Sequence, residues 1–205
     1  MRSAFGTMDG TGTSAASGNA LAFAPMARRA LADHALARAD AELDDAYRRV
    51  RVKTGKGAVH AHTVARILRD AGCSEAVQIA GLLHDLIEDT DRTESQVRRR
   101  FGANVANLVA AVTEDDTIRD YRKRKRALRA QIAAGGPHAI DIALADKVAT
   151  LTHALDAGTR VPRRQLAHYE ATIALAPGAA HPALGVTAAE LLADVAAREA
   201  AAVAD

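Results

Sequence analysis

Residues 82–91 read Leu82-Leu83-His84-Asp85-Leu86-Ile87-Glu88-Asp89-Thr90-Asp91, a stretch in which metal-binding groups interrupt an apolar pattern. The leucine and isoleucine side chains must pack inward, whereas Asp and Glu are rarely buried without a partner. At helical spacing Glu88 follows His84 by four residues and Asp89 follows Asp85 by four, so one surface is expected to carry all four groups. A single Mg or Mn ion accepts both imidazole and carboxylate and would offset the repulsion among the acids. Solvated acids at a helix end, beside a half-buried His84, are the alternative that this segment leaves open.

Two further segments place metal-binding side chains on predicted helices. Upstream, His60 and His62 begin a segment whose apolar positions 64, 67 and 68 follow helical periodicity. Downstream, Asp146 lies in the apolar run from Ile140 to Val148, where an unpaired carboxylate is costly. Lys147 could pair with Asp146, although adjacent helical residues point about 100° apart. A bound metal ion would neutralise this acid as well.

Composition predicts an all-α protein. Alanine is abundant and aromatic residues make up only 3% of the chain, a bias that favours close-packed helices over sheets. No convincing β-alternation appears in the sequence. We therefore expect a compact multi-helix bundle with a metal site between helices. Residues 1–20 are rich in Gly, Ser, Thr and Ala and are predicted to be a disordered tail, with residues 21–205 forming a single domain.

Four segments carry a family signature. They are Leu-Leu-His-Asp-Leu-Ile-Glu-Asp-Thr at 82–90, Phe-Gly-Ala-Asn-Val-Ala-Asn-Leu-Val at 101–109, Val-Thr-Glu at 112–114 and Leu-Ala-Asp-Lys at 144–147. With the helix-borne His60, they resemble the HD superfamily of metal-dependent phosphohydrolases. The likeness is more specific to the hydrolase domain of the RelA/SpoT alarmone enzymes and to the stand-alone small alarmone hydrolases, and it covers roughly residues 45–155. The fold that it implies is an all-α HD-domain bundle.

The resemblance implies a metal site and a reaction. The implied metal ligands are His60, His84, Asp85 and Asp146. They would hold one ion, usually manganese in this family, with other divalent metals as candidates. Glu88 and Asp89 match the family's Glu-Asp pair, which orients or deprotonates the attacking water, so they are the expected catalytic residues. The implied reaction is removal of the 3′-pyrophosphate of ppGpp or pppGpp, which yields GDP or GTP and pyrophosphate.

Basic residues are expected to bind the phosphates of this nucleotide substrate. The candidates before the first metal ligand are Arg51, Lys53 and Lys56, at a place where related enzymes carry an Arg-Lys pair that contacts the pyrophosphate; a solvated loop is the alternative for each. Lys147 and Thr150, after the last metal ligand, complete the predicted substrate-binding set. Thr150 stands where the family has an Asn that contacts the nucleotide. A different nucleotide or phosphate ester is therefore the alternative substrate, and a non-catalytic module with the same fold is a third hypothesis.

The basic segment 119–129 is interpreted as a solvated helix, with Arg122 or Lys123 lending charge to the pocket. A formal net charge of +2 argues against a nucleic-acid partner. No apolar run approaches the ~20 residues that cross a bilayer, so no membrane partner is expected. The single Cys73 offers no intrachain disulfide, and the expected location is cytoplasmic. The last predicted helix, about residues 187–203, has a narrow apolar stripe that could pack on the domain or on a second subunit, which makes a homodimer a candidate assembly.

Four further histidines and the cysteine are assigned no chemistry. Cys73 is interpreted as a small packing residue, because no supporting base is recognisable near it in sequence. No sequence pattern aligns the other histidines with the predicted ligands, and they are interpreted as surface or core residues. These are His34, His138, His168 and His181.

Overall fold

The computed structural model describes residues 20–48 and 57–204, with side chains over 34–48 and 57–202. The chain divides into two units, Met1–His34 and Ala35–Asp205, and every contact and site below lies within the second unit. The predicted tail falls outside the described residues except for Ala20, the first residue of a helix. The single domain predicted over residues 21–205 stays a prediction. Three predicted phosphate-binding residues also lie outside the described residues, namely Arg51, Lys53 and Lys56.

The described residues form α-helices joined by short connections. The helices are α1 (Ala20–Arg48), α2 (Gly57–Asp70), α3 (Glu75–Leu82), α4 (Leu86–Asp89), α5 (Glu94–Val112), α6 (Tyr121–Ala134), α7 (Pro137–Asp156), α8 (Arg163–Ile173) and α9 (Ala183–Ala204), with a 3₁₀ turn at Ala176–Gly178. No β-strand occurs within residues 20–48 and 57–204. The all-α prediction is therefore confirmed. None of the described helices combines the length and the apolar content needed to cross a membrane.

Helix α7 is the central element of the second unit. It packs against α2, α3, α5, α6, α8 and α9. Its side chains Ile142, Leu144 and Leu151 are fully buried, and burial of each such side chain stabilises the fold by about 1.5–3 kcal/mol. Since Asp146 lies on the same helix, the packing that buries these residues also carries a carboxylate into the interior.

The segment that contains His84 is two helices rather than the single helix that its spacing suggested. Helix α3 ends at Leu82, and a turn separates it from α4. In this turn the backbone N–H of Leu86 donates to the carbonyl of Leu83 at 3.0 Å. The Gly81 carbonyl accepts a hydrogen bond from the His84 ring at 2.8 Å. The break in the helix thus lets the imidazole bond to the end of α3.

The sequence contains two capping-box patterns, Thr93-Glu94-Ser95-Gln96 and Thr187-Ala188-Ala189-Glu190, each of which predicts a helix start, and their outcomes differ. Thr93 is the N-cap of α5, and its reciprocal bonds with Gln96 form the predicted capping box. The second prediction, at Thr187, is wrong, because α9 already begins at Ala183. Inside the helix the Thr187 hydroxyl donates to the Ala183 carbonyl at 3.2 Å, which is a common bond for a mid-helix threonine.

Candidate metal centre

Three predicted metal ligands come from three separate elements and meet at one point. His60 lies on α2, His84 in the turn after α3, and Asp146 on α7. His60 Nε2 is 2.9 Å from Asp146 Oδ1, and His84 Nε2 is 4.0 Å from the same oxygen. All three ligand atoms lie within 4.8 Å of one another. The side chains are at most 13% exposed, so the cluster is shielded from bulk water.

The fourth predicted ligand adjoins this cluster. Asp85 Oδ2 lies 3.1 Å from His84 Nε2, and the Asp85 side chain is 15% exposed. The hydrogen bond between His84 and the Gly81 carbonyl fixes the imidazole tautomer, because a carbonyl only accepts and Nδ1 must therefore donate. The lone pair of Nε2 then faces carboxylate oxygens. Two imidazoles and one carboxylate at one point, with a second carboxylate beside them, form a donor set that suits a divalent cation.

Two residues that were predicted to bind substrate contact the ligand Asp146. Thr150 Oγ1 donates to Asp146 Oδ1 at 3.2 Å. Lys147 Nζ forms an ion pair with Asp146 Oδ2, although the two residues are adjacent on α7. The Lys147 ammonium also lies over the ring of Tyr169, 5.2 Å from its centroid. Both residues hold the Asp146 carboxylate in place, and their contact with substrate stays a prediction.

A cavity of about 260 Å³ opens beside the cluster. His84, Asp85 and Asp146 line one part of it together with Glu88. Other parts are lined by Lys125 and Lys147 and by the rings of Tyr121 and Tyr169. The cavity therefore offers metal-binding carboxylates and imidazole next to cationic side chains, which is the combination that a phosphate ester needs.

Glu88 is placed in the cavity as a buried carboxyl group. Its Oε1 accepts a hydrogen bond from the backbone N–H of Glu114 at 2.6 Å. Burial, followed by the charge of Asp85, raises the pKa of Glu88 to about 7, while His84 and Lys125 act in the opposite direction. A carboxyl group with a pKa near neutrality is suited to exchange protons with water at physiological pH.

Asp89 has different surroundings from its neighbour. It is 2% exposed, and its Oδ2 accepts a hydrogen bond from the Tyr47 hydroxyl at 3.1 Å. Burial and then the charge of Asp89 raise the pKa of the Tyr47 hydroxyl well above its usual range. Glu88 lines the cavity and Asp89 does not. The predicted catalytic role of Asp89 therefore stays a prediction, and its observed contact connects α4 to α1.

The cavity is also shaped by Lys125 and Glu114, which the sequence did not single out as site residues. Lys125 lines it, whereas Arg122 and Lys123 line a neighbouring groove instead. The carboxylate of Glu114 forms ion pairs with both Lys125 and Arg124, the latter at 2.8 Å. The helical spacing of Lys125 four residues after Tyr121 is a weak signal that both share a face. No sequence signal indicated that this face meets Glu114.

His168, interpreted from the sequence as a surface or core residue, is buried and lines the same cavity. Arg129 Nη1 donates to its Nδ1 at 2.9 Å, which requires the neutral imidazole at that nitrogen. Burial, followed by the charge of Lys147, lowers the pKa of His168 to about 3. His168 is thus a neutral polar group surrounded by cations.

A basic groove borders the cavity. The two share Tyr121, Lys125 and His168 as lining residues. The other charged side chains of the groove are Arg122, Lys123, Arg126, Arg129 and Arg164. No acidic residue lines this groove among those that the structure describes. A row of cations without compensating acids is a suitable surface for an anionic group such as a phosphate.

Comparison with known proteins identifies relatives of this chain. It is 44% identical over 94 residues to the human guanosine-3′,5′-bis(diphosphate) 3′-pyrophosphohydrolase MESH1, covering 45% of this chain and 52% of that protein. It is 36% identical over 99 residues to the guanosine-3′,5′-bis(diphosphate) 3′-pyrophosphohydrolase of Aquifex aeolicus strain VF5, covering 47% of this chain and 14% of that protein. The matched region thus spans about half the length of MESH1.

Two solved structures share the fold. A metazoan ortholog of SpoT, described as hydrolysing ppGpp, superimposes with a TM-score of 0.63 and 26% identity, over 80% of this chain and 94% of that one. A protein from Listeria monocytogenes EGD-e superimposes with a TM-score of 0.60 and 33% identity, over 66% of this chain and 97% of that one.

The family assignment follows from the matched region. The family model described as HD domain matches residues 39–174, a range that contains all four predicted metal ligands. The dependence on a divalent metal that an HD domain implies agrees with the cluster of imidazoles and carboxylates. The chain belongs to the HD-domain family.

Proposed function

We propose that this protein is a manganese-dependent pyrophosphohydrolase that removes the 3′-pyrophosphate of ppGpp or pppGpp and yields GDP or GTP and pyrophosphate. The observation that carries the proposal is the convergence of the imidazoles of His60 and His84 with the Asp146 carboxylate beside a cavity that contains Glu88. The human and Aquifex relatives, both guanosine-3′,5′-bis(diphosphate) 3′-pyrophosphohydrolases, support this substrate.

Four side chains would hold the metal ion, and a fifth would handle the proton. The ligands are His60, His84, Asp85 and Asp146. A bound divalent cation lowers the pKa of water and offsets charge that develops on the phosphoryl group. Glu88 accepts the proton of the attacking water, while the Glu114 N–H holds its carboxylate in position. Water adds to the phosphorus attached to the 3′ oxygen, the bond between that phosphorus and the 3′ oxygen breaks, and the oxygen takes up the proton that Glu88 accepted and leaves as the 3′-hydroxyl of GDP or GTP, which releases pyrophosphate. Asp89 is proposed as the second carboxylate on which catalysis depends, and its role is to hold α4 in position through its contact with Tyr47.

A nucleotide with two separate diphosphate groups fits the distribution of charge. Lys125 and Lys147 face the cavity and would contact the 3′-diphosphate. The adjacent basic groove would take the 5′-diphosphate, since it is lined by arginine and lysine side chains. The predicted substrate-binding residues Arg51, Lys53, Lys56 and Thr150 belong to the same proposal.

A second candidate function is hydrolysis of another nucleotide or phosphate ester by the same metal chemistry. The observation that favours it is the bond from the Thr150 hydroxyl to Asp146, at the position where an Asn of the resembled family contacts the nucleotide. A threonine engaged with a metal ligand would leave the base without that contact. We also propose a cytoplasmic location. As the working assembly we propose a homodimer, with α9 as the contact surface because its Val186 side chain is 60% exposed.

The test is hydrolysis of ppGpp by metal-stripped protein with and without added manganese, followed as release of GDP and pyrophosphate. Activity is expected only with manganese. Asp85→Asn should abolish both manganese binding and activity, whereas Glu88→Gln should retain the metal and lose at least about 100-fold in kcat, as is typical for a general base. A folded, manganese-loaded protein that leaves ppGpp intact but cleaves another phosphorylated nucleotide would establish the second candidate function.

A further inference from the structure

A second cluster of metal-binding side chains lies outside the candidate metal centre. Cys73 lies between α2 and α3, Asp141 lies in the second turn of α7, and His181 precedes α9. His181 Nδ1 is 2.9 Å from Asp141 Oδ2 and 3.4 Å from Cys73 Sγ. The three ligand atoms all lie within 4.8 Å of one another. Three segments that are distant in sequence thus bring a thiol, a carboxylate and an imidazole to one point.

This cluster is separate from the first one. Asp141 and Asp146 both lie on α7, but five residues of helix place them about 7.5 Å apart along the axis and about 140° apart around it. Asp141 is fully buried and Cys73 is 4% exposed, so neither side chain is an ordinary surface group. A buried carboxylate needs charge compensation, and Asp141 receives it from neither lysine nor arginine in the described ion pairs.

A hydrogen-bonded arrangement and a metal-bound one would use the same three atoms. The thiol and the carboxylate approach the same nitrogen, His181 Nδ1. Without an ion, an Nδ1–H donates to Asp141 Oδ2 and, more weakly, to the thiol sulfur. The geometry also differs from a catalytic triad, in which the acid and the nucleophile contact different ring nitrogens. A cation at the common point would bind the nitrogen lone pair, the thiolate and the carboxylate at the same time.

We propose that Cys73, Asp141 and His181 form a zinc site, with the exposed imidazole of His138 as the fourth ligand. His138 Nδ1 already lies 3.1 Å from Asp141 Oδ2. Zinc prefers four ligands of this kind, and its bond lengths place tetrahedral ligand atoms about 3.3–3.6 Å apart. The separations of 2.9 and 3.4 Å within the group of three need only a small expansion to accept the ion, whereas the His138 ring, which is 3.1 Å from Asp141 but outside that group, would have to turn toward it.

A backbone contact also suits a structural zinc ion. The backbone N–H of His181 donates to Asp141 Oδ1 at 2.9 Å, which holds the second oxygen and directs Oδ2 toward the cluster. The thiolate would select zinc, whereas the nitrogen and oxygen donors around Asp146 suit manganese. The ion would tie the α2–α3 connection and the segment before α9 to α7.

Cobalt substitution tests the proposal in the full-length protein. Cobalt(II) is titrated into metal-stripped protein, and the thiolate-to-cobalt charge-transfer absorption in the near ultraviolet is recorded. Because Cys73 is the single cysteine in the chain, this band reports on this site alone. We expect the band to saturate at the intensity of one cobalt–thiolate per chain, to disappear in Cys73→Ser, and to need at least about tenfold more cobalt in His181→Ala. Addition of zinc should bleach it.

The matched control is Asp85→Asn, which alters the other centre and should retain the full cobalt–thiolate band. Absence of the band in wild-type protein that still binds cobalt would overturn the proposal, and so would a band that Asp85→Asn removes. The wild-type titration needs no substitution, so the proposal stays testable even when Cys73→Ser fails to fold. The readout is independent of hydrolysis, and its outcome is therefore separate from that of the ppGpp assay.

Discussion

His168 is the residue whose surroundings have the clearest consequence for stability. Burial and the positive charges of Lys147, Lys125 and Arg129 disfavour its protonated form, and Asp146 only partly opposes them. Its pKa is about 3 in the folded protein and about 6.5 in the unfolded chain. Below pH 6.5 the unfolded state therefore binds a proton that the folded state rejects.

We predict that this difference destabilises the fold in acid. Above pH 6.5 the imidazole is neutral in both states and this group does not lower the free energy of unfolding. As the pH decreases from 6.5 toward 3, the free energy of unfolding falls by up to about 1.4 kcal/mol per pH unit. Urea unfolding of wild type and His168→Gln between pH 7.5 and 4.5 measures it. The stability of the variant should fall less steeply with decreasing pH. Parallel curves for the two proteins would show that His168 does not titrate in this way.

At the scale of elements, helix α5 contains a kink that a single glycine permits. Gly102 has φ 86° and ψ 171°, although helical residues flank it on both sides. Only glycine commonly adopts this conformation, because a Cβ atom meets the adjacent backbone. The kink lets α5 continue with Val105 and Val109 buried in the core.

We predict that Gly102→Ala destabilises the protein by about 1–3 kcal/mol, the usual cost of a side chain in this region of φ and ψ. Beyond the neighbouring backbone of the same helix, no atom lies within 4 Å of the added Cβ, so the cost comes from backbone strain rather than from a clash with packed side chains. Chemical denaturation measures the effect. Ser95→Ala, at an exposed position of the same helix, serves as the control and should change stability by less than about 0.5 kcal/mol. Equal effects of the two substitutions would contradict the strain argument.

The local signals of helix starts were only partly sufficient. The motif at Thr93 marks a real N-cap because the residues before it are not helical. The same kind of motif at Thr187 lies inside α9, where the preceding residues continue the helix. A capping box describes four residues, and whether the chain before them is helical depends on what the segment packs against.

At the scale of the whole molecule, the candidate metal centre joins helices that are distant in sequence. His60 on α2 and Asp146 on α7 are 86 residues apart, and α2 packs directly against α7. An ion that binds only the folded arrangement stabilises it by mass action. The effect of the metal should therefore be visible in the unfolding temperature without any assay of hydrolysis.

We predict that manganese at about 100 times its Kd stabilises the protein by about 2.7 kcal/mol, or about 5–11 °C in Tm for a chain of this size. Differential scanning calorimetry of metal-stripped protein with and without manganese measures the shift. His60→Ala removes one ligand and should abolish it. A shift of equal size in His60→Ala would mean that the stabilising manganese binds elsewhere.

The sequence by itself determined the chemistry of individual positions. The His84-Asp85 pair and the acid Asp146 in an apolar helix were recognisable, because a buried charge is so costly that its presence implies a partner. The alanine-rich composition and the lack of β-alternation also predicted the all-α fold. Both signals are local, since they depend on residue type and on spacing within one segment.

Only the tertiary structure decided which groups meet. It directed Glu88 into the cavity and Asp89 toward Tyr47, although the two are adjacent in sequence. It selected Lys125 over its basic neighbours, and it assembled Cys73 with Asp141 and His181. The physical reason is that periodicity fixes which side chains share a helix face, whereas packing against other helices decides what that face contacts.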